Sequence, residues 1–278
     1  MTISVTPTQG ACGAFIDGLD LRQPLSPDTV DAIRRAWLQY HVVVFRDQQI
    51  DDDDLERFSR YFGNFAGDPY IAPMAGRENV IELRRAADET TPIFADAWHT
   101  DWSFGATPPA ATVLYGITIP PHGGNTDFIN QHQVLAQMPA ELRQRLQGKM
   151  ARHSARLAYA PDGMYGQQDK DRGRGFTILT DESAYNEQLH PLIRQHPETG
   201  EEAIFGCFGY IVGIADVSAE EEQQLLTDLY QWQTREEFQY HHQWQPGMLV
   251  MWDNRSVLHK ANGGYEGYER VLHRTVIG

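Results

Sequence analysis

The chain has 278 residues, 41% of them apolar and 22% charged, which is enough apolar material for a core. No window reaches the ~18 consecutive apolar residues of a membrane span, and a formal net charge of −15 excludes nucleic acid or an anionic membrane as the main partner, since both need a basic face. Cys12 and Cys207 stand far apart without metal-type spacing and the N-terminus lacks a secretion signal, so a cytoplasmic protein with reduced thiols is expected.

In chain order, Ser26-Pro27-Asp28 has the form of an N-cap and first turn, opening a helix that runs to about Tyr40. HVVVFR at 41–46 reads as a buried strand. The acidic run Asp51 to Asp54 reads as the N-terminus of a second helix rather than a cation site. Strand signals follow at 79–83 (NVIEL), 98–103 (WHTDWS), 111–118 (ATVLYGIT) and 125–129 (NTDFI), with Gly123-Gly124 as a turn before the last. A short helical pair occupies QVLAQMPAELRQRLQ. Residues 158–187, rich in Gly, Asp, Gln and Tyr and lacking periodicity, are expected to form a mobile lid. Ser218 opens a helix to about 233, and four strands close the chain: EFQYHHQW, MLVMWD, SVLHKA and RVLHRTVI. Many short strands with a few helices imply a mainly β fold with helical additions, a sandwich or jelly roll, in one domain over 1–278.

No GxSxG elbow, P-loop or GxGxxG fingerprint is present. What remains is His99-Thr-Asp101, set between Trp98 and Trp102. In a strand, residues i and i+2 share a face, so this imidazole and carboxylate project side by side. They are either a buried hydrogen-bonded pair or two ligands of one metal. Two histidines and a carboxylate on one face of an octahedron leave three positions open, the arrangement of non-haem Fe(II) oxygenases. A structural zinc would be closed by four protein ligands, often thiolates, and there is no cysteine cluster.

The third ligand is open among His241, His242, His259 and His273, with the His241-His242 pair expected to be partly exposed before a turn. On the last strand Arg270, Leu272 and Arg274 share one face, and His273 takes the other. No acidic residue lies among these arginines, so they either face the surface or line a pocket that receives carboxylates. Arg255 reads as support for the turn before SVLH. Trp98 and Trp102 read as core.

WHTDWSF, GGNTDF, HPLIRQHPETG, WQPGMLVMWDNRSVLH and RVLHRTVI, with the early FRDQQI, follow one another in an order and spacing that resemble the taurine dioxygenase/2,4-dichlorophenoxyacetate dioxygenase family. The resemblance covers nearly the whole chain. It implies an Fe(II)- and 2-oxoglutarate-dependent dioxygenase on a double-stranded β-helix (jelly-roll) core. Matched residue by residue, it makes His99, Asp101 and His259 the iron ligands. Thr126 and Arg270 would hold the distal carboxylate of 2-oxoglutarate, and Arg274 would meet the substrate's anionic group. The implied reaction consumes O2 and 2-oxoglutarate, yields succinate and CO2, and hydroxylates a small anionic molecule such as a sulfonate, sulfate ester or aryloxyalkanoate. A carboxylate at 101 disfavours halogenation, because the related halogenases leave that position open for chloride.

The same resemblance separates this chain from taurine dioxygenase itself. Ala95 stands where that enzyme has Asn, and Trp102 where it has a small aliphatic residue, which makes both candidate substrate-contacting positions. GDPYIAPMAG also lacks the His and Tyr spacing that holds taurine. A larger or more aromatic acid, or a biosynthetic intermediate, is therefore expected. By analogy the family also implies a dimer or tetramer. The competing readings are a cupin-like or zinc hydrolytic metal protein without oxygenase chemistry, and a catalytically silent small-acid sensor.

Overall fold

The computed structural model describes residues 3–167 and 173–278. The N-terminal strands β1 (Ser4–Pro7) and β2 (Ala14–Asp17) pair antiparallel. Helix α1 (Pro27–Tyr40) starts where expected, with the Ser26 side chain accepting from the Thr29 amide and Pro27 in the first turn. It ends at His41, which takes a left-handed φ of 65° and leads into β3 (Val42–Phe45). In α2 (Asp52–Arg60) the acidic run serves the helix start, through a reciprocal capping box between Asp51 and Asp54.

Strand β4 (Ile81–Arg85) lies two residues beyond the expected NVIEL. Pairing with the C-terminal strand, rather than apolarity, sets its ends. β5 (Ala111–Thr118), β6 (Thr126–Asn130), α3 (Gln131–Ala136) and α4 (Ala140–Leu146) fall close to the expected spans. Beyond them come β7 (Met150–His153), α5 (Arg156–Tyr159), α6 (Met164–Gln167), β8 (Gln188–Pro191), β9 (Ile193–Gln195), β10 (Glu202–Ile204) and β11 (Ile211–Ile214). Each is too short for a hydrophobic period to register in sequence. The stretch 158–187, expected as a lid, carries α6 and a 3₁₀ turn at Glu182–Tyr185; its residues 168–172 lie outside the described residues. Then come α7 (Ala219–Gln233), capped by Ser218, and strands β12 (Gln239–His242), β13 (Leu249–Asp253), β14 (Val257–Ala261) and β15 (Arg270–Ile277).

One expected strand does not form. WHTDWS makes a single bridge, His99 against His259, and then turns, with Trp102 at φ 44°. The turn closes through the Gly105 amide donating to the Trp102 carbonyl (2.9 Å). Backbone bonds from His99 N to His259 O (3.0 Å) and back (2.7 Å) anchor it to β14, and the Thr100 hydroxyl donates to the Asn254 carbonyl (2.6 Å).

Seven strands form the large sheet in the order β1-β2-β3-β13-β5-β15-β4, antiparallel except for β2 beside β3. Strand alternation sends its side chains to two layers. Val43, Phe45, Val113 and Met251 pack under α1 and α2 with Ile33, Trp37, Leu55 and Phe58. Val42, Val44, Val250 and Trp252 face the opposite way, against Phe128, Tyr240 and Val257 of a three-stranded sheet ordered β12-β6-β14. The molecule is thus mainly β with helices on its flanks, and the two sheets enclose an interior layer between them. Arg270, Leu272 and Arg274 border the cavity of that layer, while His273 points outward to Asp52 (2.6 Å).

The turn joining β13 to β14 is braced as expected. Arg255 donates to both Asp253 oxygens (2.8 Å each) and to Glu198 (2.7 Å), and His196 Nε2 meets Asp253 Oδ2 at 2.9 Å. Burial alone would raise the Asp253 pKa, but the Arg255 and His196 contacts outweigh it and bring it down to about 2. A depressed folded-state pKa gives stability that is present above the unfolded value, near 3.9, and lost as pH falls toward 2. Acid titration of unfolding is therefore expected to show a loss of about 2 kcal/mol in that window, reduced in Asp253→Asn.

Candidate active site

His99, Asp101 and His259 converge between the sheets, and all three are buried. Their ligand atoms lie within 4.8 Å of one another. Asp101 Oδ1 is 3.7 Å from Nε2 of each histidine, too far for a hydrogen bond. His99 is oriented by its Nδ1, which donates to the Ala97 carbonyl (2.8 Å) and so leaves a lone pair on Nε2. Asp101 Oδ2 accepts from Thr112 (2.5 Å), which leaves Oδ1 free.

The electrostatics keep these groups in ligand form. Burial works against an ionised Asp101, but His259, Arg274, His99 and the Thr112 hydroxyl together hold its pKa below the usual value. Burial first, and the neighbouring His99 second, lower the His259 pKa to about 3, so its ring is neutral. Two imidazoles and one carboxylate on one side of an open space form a donor set that suits a ferrous ion with positions to spare. Among the other candidates for third ligand, His273 is on the outer face and His241 binds Asp127 and Glu236 at 2.7 Å each. His242, expected to be partly exposed, is buried and bonded to the Tyr240 hydroxyl (2.9 Å), because β12 alternates outward at 241 and inward at 242.

Thr126 and Arg270 border the same cavity as His99 and His259. The Thr126 oxygen accepts from Trp244 Nε1 (2.9 Å), which leaves its proton to donate elsewhere. Arg270 is buried, no carboxylate among the described residues pairs with it, and its Nε has no hydrogen-bond partner. Burial brings its pKa down to about 10, offset only by Tyr265, whose ring lies 5.9 Å away. Gly124, at φ 65°, makes room for it: a Cβ there would stand 3.1 Å from Arg270 Nε. A buried guanidinium without a counter-charge, beside a free hydroxyl proton, fits the distal carboxylate of a keto diacid.

Arg274 lines the cavity too, and its acidic partner comes from outside its own strand. Asp68, 206 residues away in sequence, pairs with it from a turn in which its other oxygen accepts from the Tyr70 and Ile71 amides (2.8 and 2.9 Å). Ala95 borders the cavity at φ 60°, and its carbonyl accepts from the Ala261 amide (2.8 Å). Trp98 joins the core around α3 and α7. Trp102 is buried and is not among the cavity-lining residues.

A chain of hydrogen bonds behind Asp101 had no sequence signal, because it joins β5 to the β13–β14 turn. Trp252 Nε1 donates to Asn254 Oδ1, Asn254 Nδ2 donates to Thr112, and Thr112 donates to Asp101. Since the Asn254 amide already occupies one side of the Thr112 oxygen, the hydroxyl proton is directed to the carboxylate. Thr112→Val keeps the shape and removes that proton. It is expected to weaken metal binding by about 10–100-fold, read by Mn(II) titration, with Thr112→Ser restoring it.

The model of the family described as "Taurine catabolism dioxygenase TauD, TfdA family" matches residues 4–276. The chain belongs to this family. An alkylsulfatase of Acinetobacter baylyi is 32% identical over 272 residues, covering 96% of this chain and 82% of that protein. An alpha-ketoglutarate-dependent sulfate ester dioxygenase of Pseudomonas putida is 30% identical, covering 100% and 90%. The crystal structure of a taurine dioxygenase from Burkholderia xenovorans superposes with a TM-score of 0.81 at 30% identity, covering 99% of this chain and 89% of that one. A structure described as AAD-2 in complex with Mn(II) and N-oxalylglycine gives 0.78 at 28% identity, covering 100% and 97%. As a member of the TauD/TfdA family, the chain is a 2-oxoglutarate-dependent non-haem iron dioxygenase, using Fe(II), 2-oxoglutarate and O2. No helix among the described residues is long and apolar enough to cross a membrane.

Proposed function

We propose that this TauD/TfdA-family enzyme hydroxylates a small organic acid at a site formed by His99, Asp101, His259, Thr126, Arg270 and Arg274. The observation that carries the reading is the unpaired, buried Arg270 beside the Thr126 hydroxyl, in one cavity with His99 and His259. His99, Asp101 and His259 would hold Fe(II). Thr126 and Arg270 would bind the far carboxylate of 2-oxoglutarate and so orient its keto-acid end toward the triad. With iron bound, 2-oxoglutarate and O2 supply the oxidation chemistry, giving succinate, CO2 and a hydroxylated substrate. The surrounding apolar walls exclude water and the arginines fix the geometry.

Acids of the kinds named for the relatives, sulfate esters, alkyl sulfates and aryloxyalkanoates, are the first substrates to try. Their anionic group would meet Arg274, whose charge Asp68 already partly balances. Asp68→Asn is expected to tighten binding of a small organic acid about tenfold, the effect of removing one nearby negative charge, as read by calorimetry. A single catalytic unit over 1–278 on a double-stranded β-helix, acting in the cytoplasm as a dimer or tetramer, completes the reading. The two facing sheets support the β-helix and the two buried free cysteines the compartment, while the dimer or tetramer rests on family analogy.

The test is anaerobic addition of Fe(II) and then 2-oxoglutarate, watching for the visible charge-transfer band of the chelate. A cupin-like metal protein or a silent sensor would give no band. Succinate release across a panel of acids then identifies the substrate.

A further inference from the structure

Asp68 puts a buried carboxylate directly beside the arginine that the substrate's anion would meet. Its side chain is 2% exposed and that of Arg274 is 7% exposed. One Asp68 oxygen is held by the Tyr70 and Ile71 amides (2.8 and 2.9 Å), and the other pairs with Nη2 of Arg274. Another edge of the guanidinium is unused, since Arg274 Nε is buried and has no hydrogen-bond partner. Arg274 borders the same cavity as His99, His259, Thr126 and Arg270. An anion bound to this arginine would therefore lie next to the Asp68 carboxylate, with the same charge and little water to screen it.

The charges deep in the site leave nothing to absorb that anion. Once the site is loaded, Fe(II) is balanced by Asp101 and one carboxylate of 2-oxoglutarate, Arg270 by the other carboxylate, and Arg274 by Asp68. Arg84 and Arg85 at the rim are paired with Glu269 and Glu89. The groups that face Asp68 are Arg274 from β15, Asp101 from the turn after His99, Tyr159 of α5, and Tyr210 just before β11. Burial keeps both phenols protonated, so Arg274 is the one cation among these groups. We propose that Asp68 governs which ligands reach Arg274, admitting an anion only together with one proton. The proton comes from solvent and sits on the Asp68 oxygen that had paired with the guanidinium. The ligand's anion takes over Arg274, and the new O–H of Asp68 donates to that anion while the other oxygen keeps its two amide bonds. The inference rests on the function proposed above and adds the proton that accompanies the substrate. Burial, against the opposing pull of Arg274, already raises the Asp68 pKa above the ordinary carboxylate value, and Asp101 adds to the rise. A second anion moves it in the same direction. A carboxyl whose pKa is raised by a ligand makes that ligand bind more tightly as pH falls.

The test titrates the enzyme, loaded anaerobically with Fe(II) and 2-oxoglutarate, with hexyl sulfate in calorimetric buffers of different ionisation enthalpy. A sulfate monoester has no proton to give or take near neutral pH, so any proton taken up is bound by the protein. Wild type is expected to take up about one proton per sulfate bound near pH 6, and its affinity to fall as pH rises, by about tenfold per unit where uptake is complete. In Asp68→Asn, whose side-chain carbonyl can keep the amide bonds of the turn, uptake is expected to vanish and the affinity to become independent of pH. Binding by wild type without proton uptake overturns the proposal, as does uptake that persists in Asp68→Asn. Absence of the chelate band, or of any sulfate binding, overturns the function proposed above and this inference with it. The band and the binding isotherm therefore tell the two failures apart.

Discussion

Asp101→Ala is expected to lower metal affinity at least a hundredfold, about 3 kcal/mol, and to bring succinate release to background. The carboxylate is the one anionic donor of the triad, and its Oδ1 has no other partner within hydrogen-bonding distance while Thr112 holds Oδ2. Removing it leaves two imidazoles, which bind a hard ferrous ion poorly. Asp101→Asn separates charge from shape: it preserves volume and loses the anion, and should behave as the alanine variant does. Metal affinity in either variant within about tenfold of wild type, measured by Mn(II) titration, overturns the ligand assignment.

Arg270→Leu is expected to separate stability from function. The guanidinium is buried, unpaired among the described residues, and has an unsatisfied Nε. An uncompensated charge of this kind destabilises the folded chain, and an apolar replacement of similar reach is expected to stabilise it by on the order of 1–4 kcal/mol. The same change removes the charge-assisted bonds to 2-oxoglutarate, worth roughly 1.5–3 kcal/mol, so the KM for the cosubstrate should rise about tenfold to a hundredfold. Metal affinity should not change, since Arg270 does not touch the triad. A variant less stable than wild type in denaturant, or one with an unchanged KM, would show that Arg270 serves the fold rather than the cosubstrate.

The site to which these two residues belong was only partly legible in the chain. The period-two alternation of RVLHRTV placed Arg270 and Arg274 on one face and His273 on the other, and the strand has that geometry. Helix starts at Ser26, Asp51 and Ser218 were readable because a cap is a local hydrogen bond within three residues. The resemblance to the family singled out His259 from four histidines, and the structure brings His259 to His99 and Asp101.

What local pattern could not supply was everything that depends on residues far apart in sequence. Tryptophan and threonine in WHTDWS suggested a strand, yet the segment holds one bridge and turns at Trp102, because its contacts are made with β14 and the Asn254 carbonyl rather than along a ladder. His99 and Asp101 therefore meet through tertiary anchoring and not through strand alternation. Asp68 reaches Arg274 across 206 residues, and Asn254 reaches Thr112 across 142. Composition and periodicity determined a mainly β chain, its principal helices and a short list of metal-binding side chains, because those follow from local hydrogen bonding and from which face is apolar. Packing of the two sheets decided which charges are paired and which guanidinium is left without a partner. It also decided where the cavity opens, since burial and counter-charge exist only once distant strands are face to face.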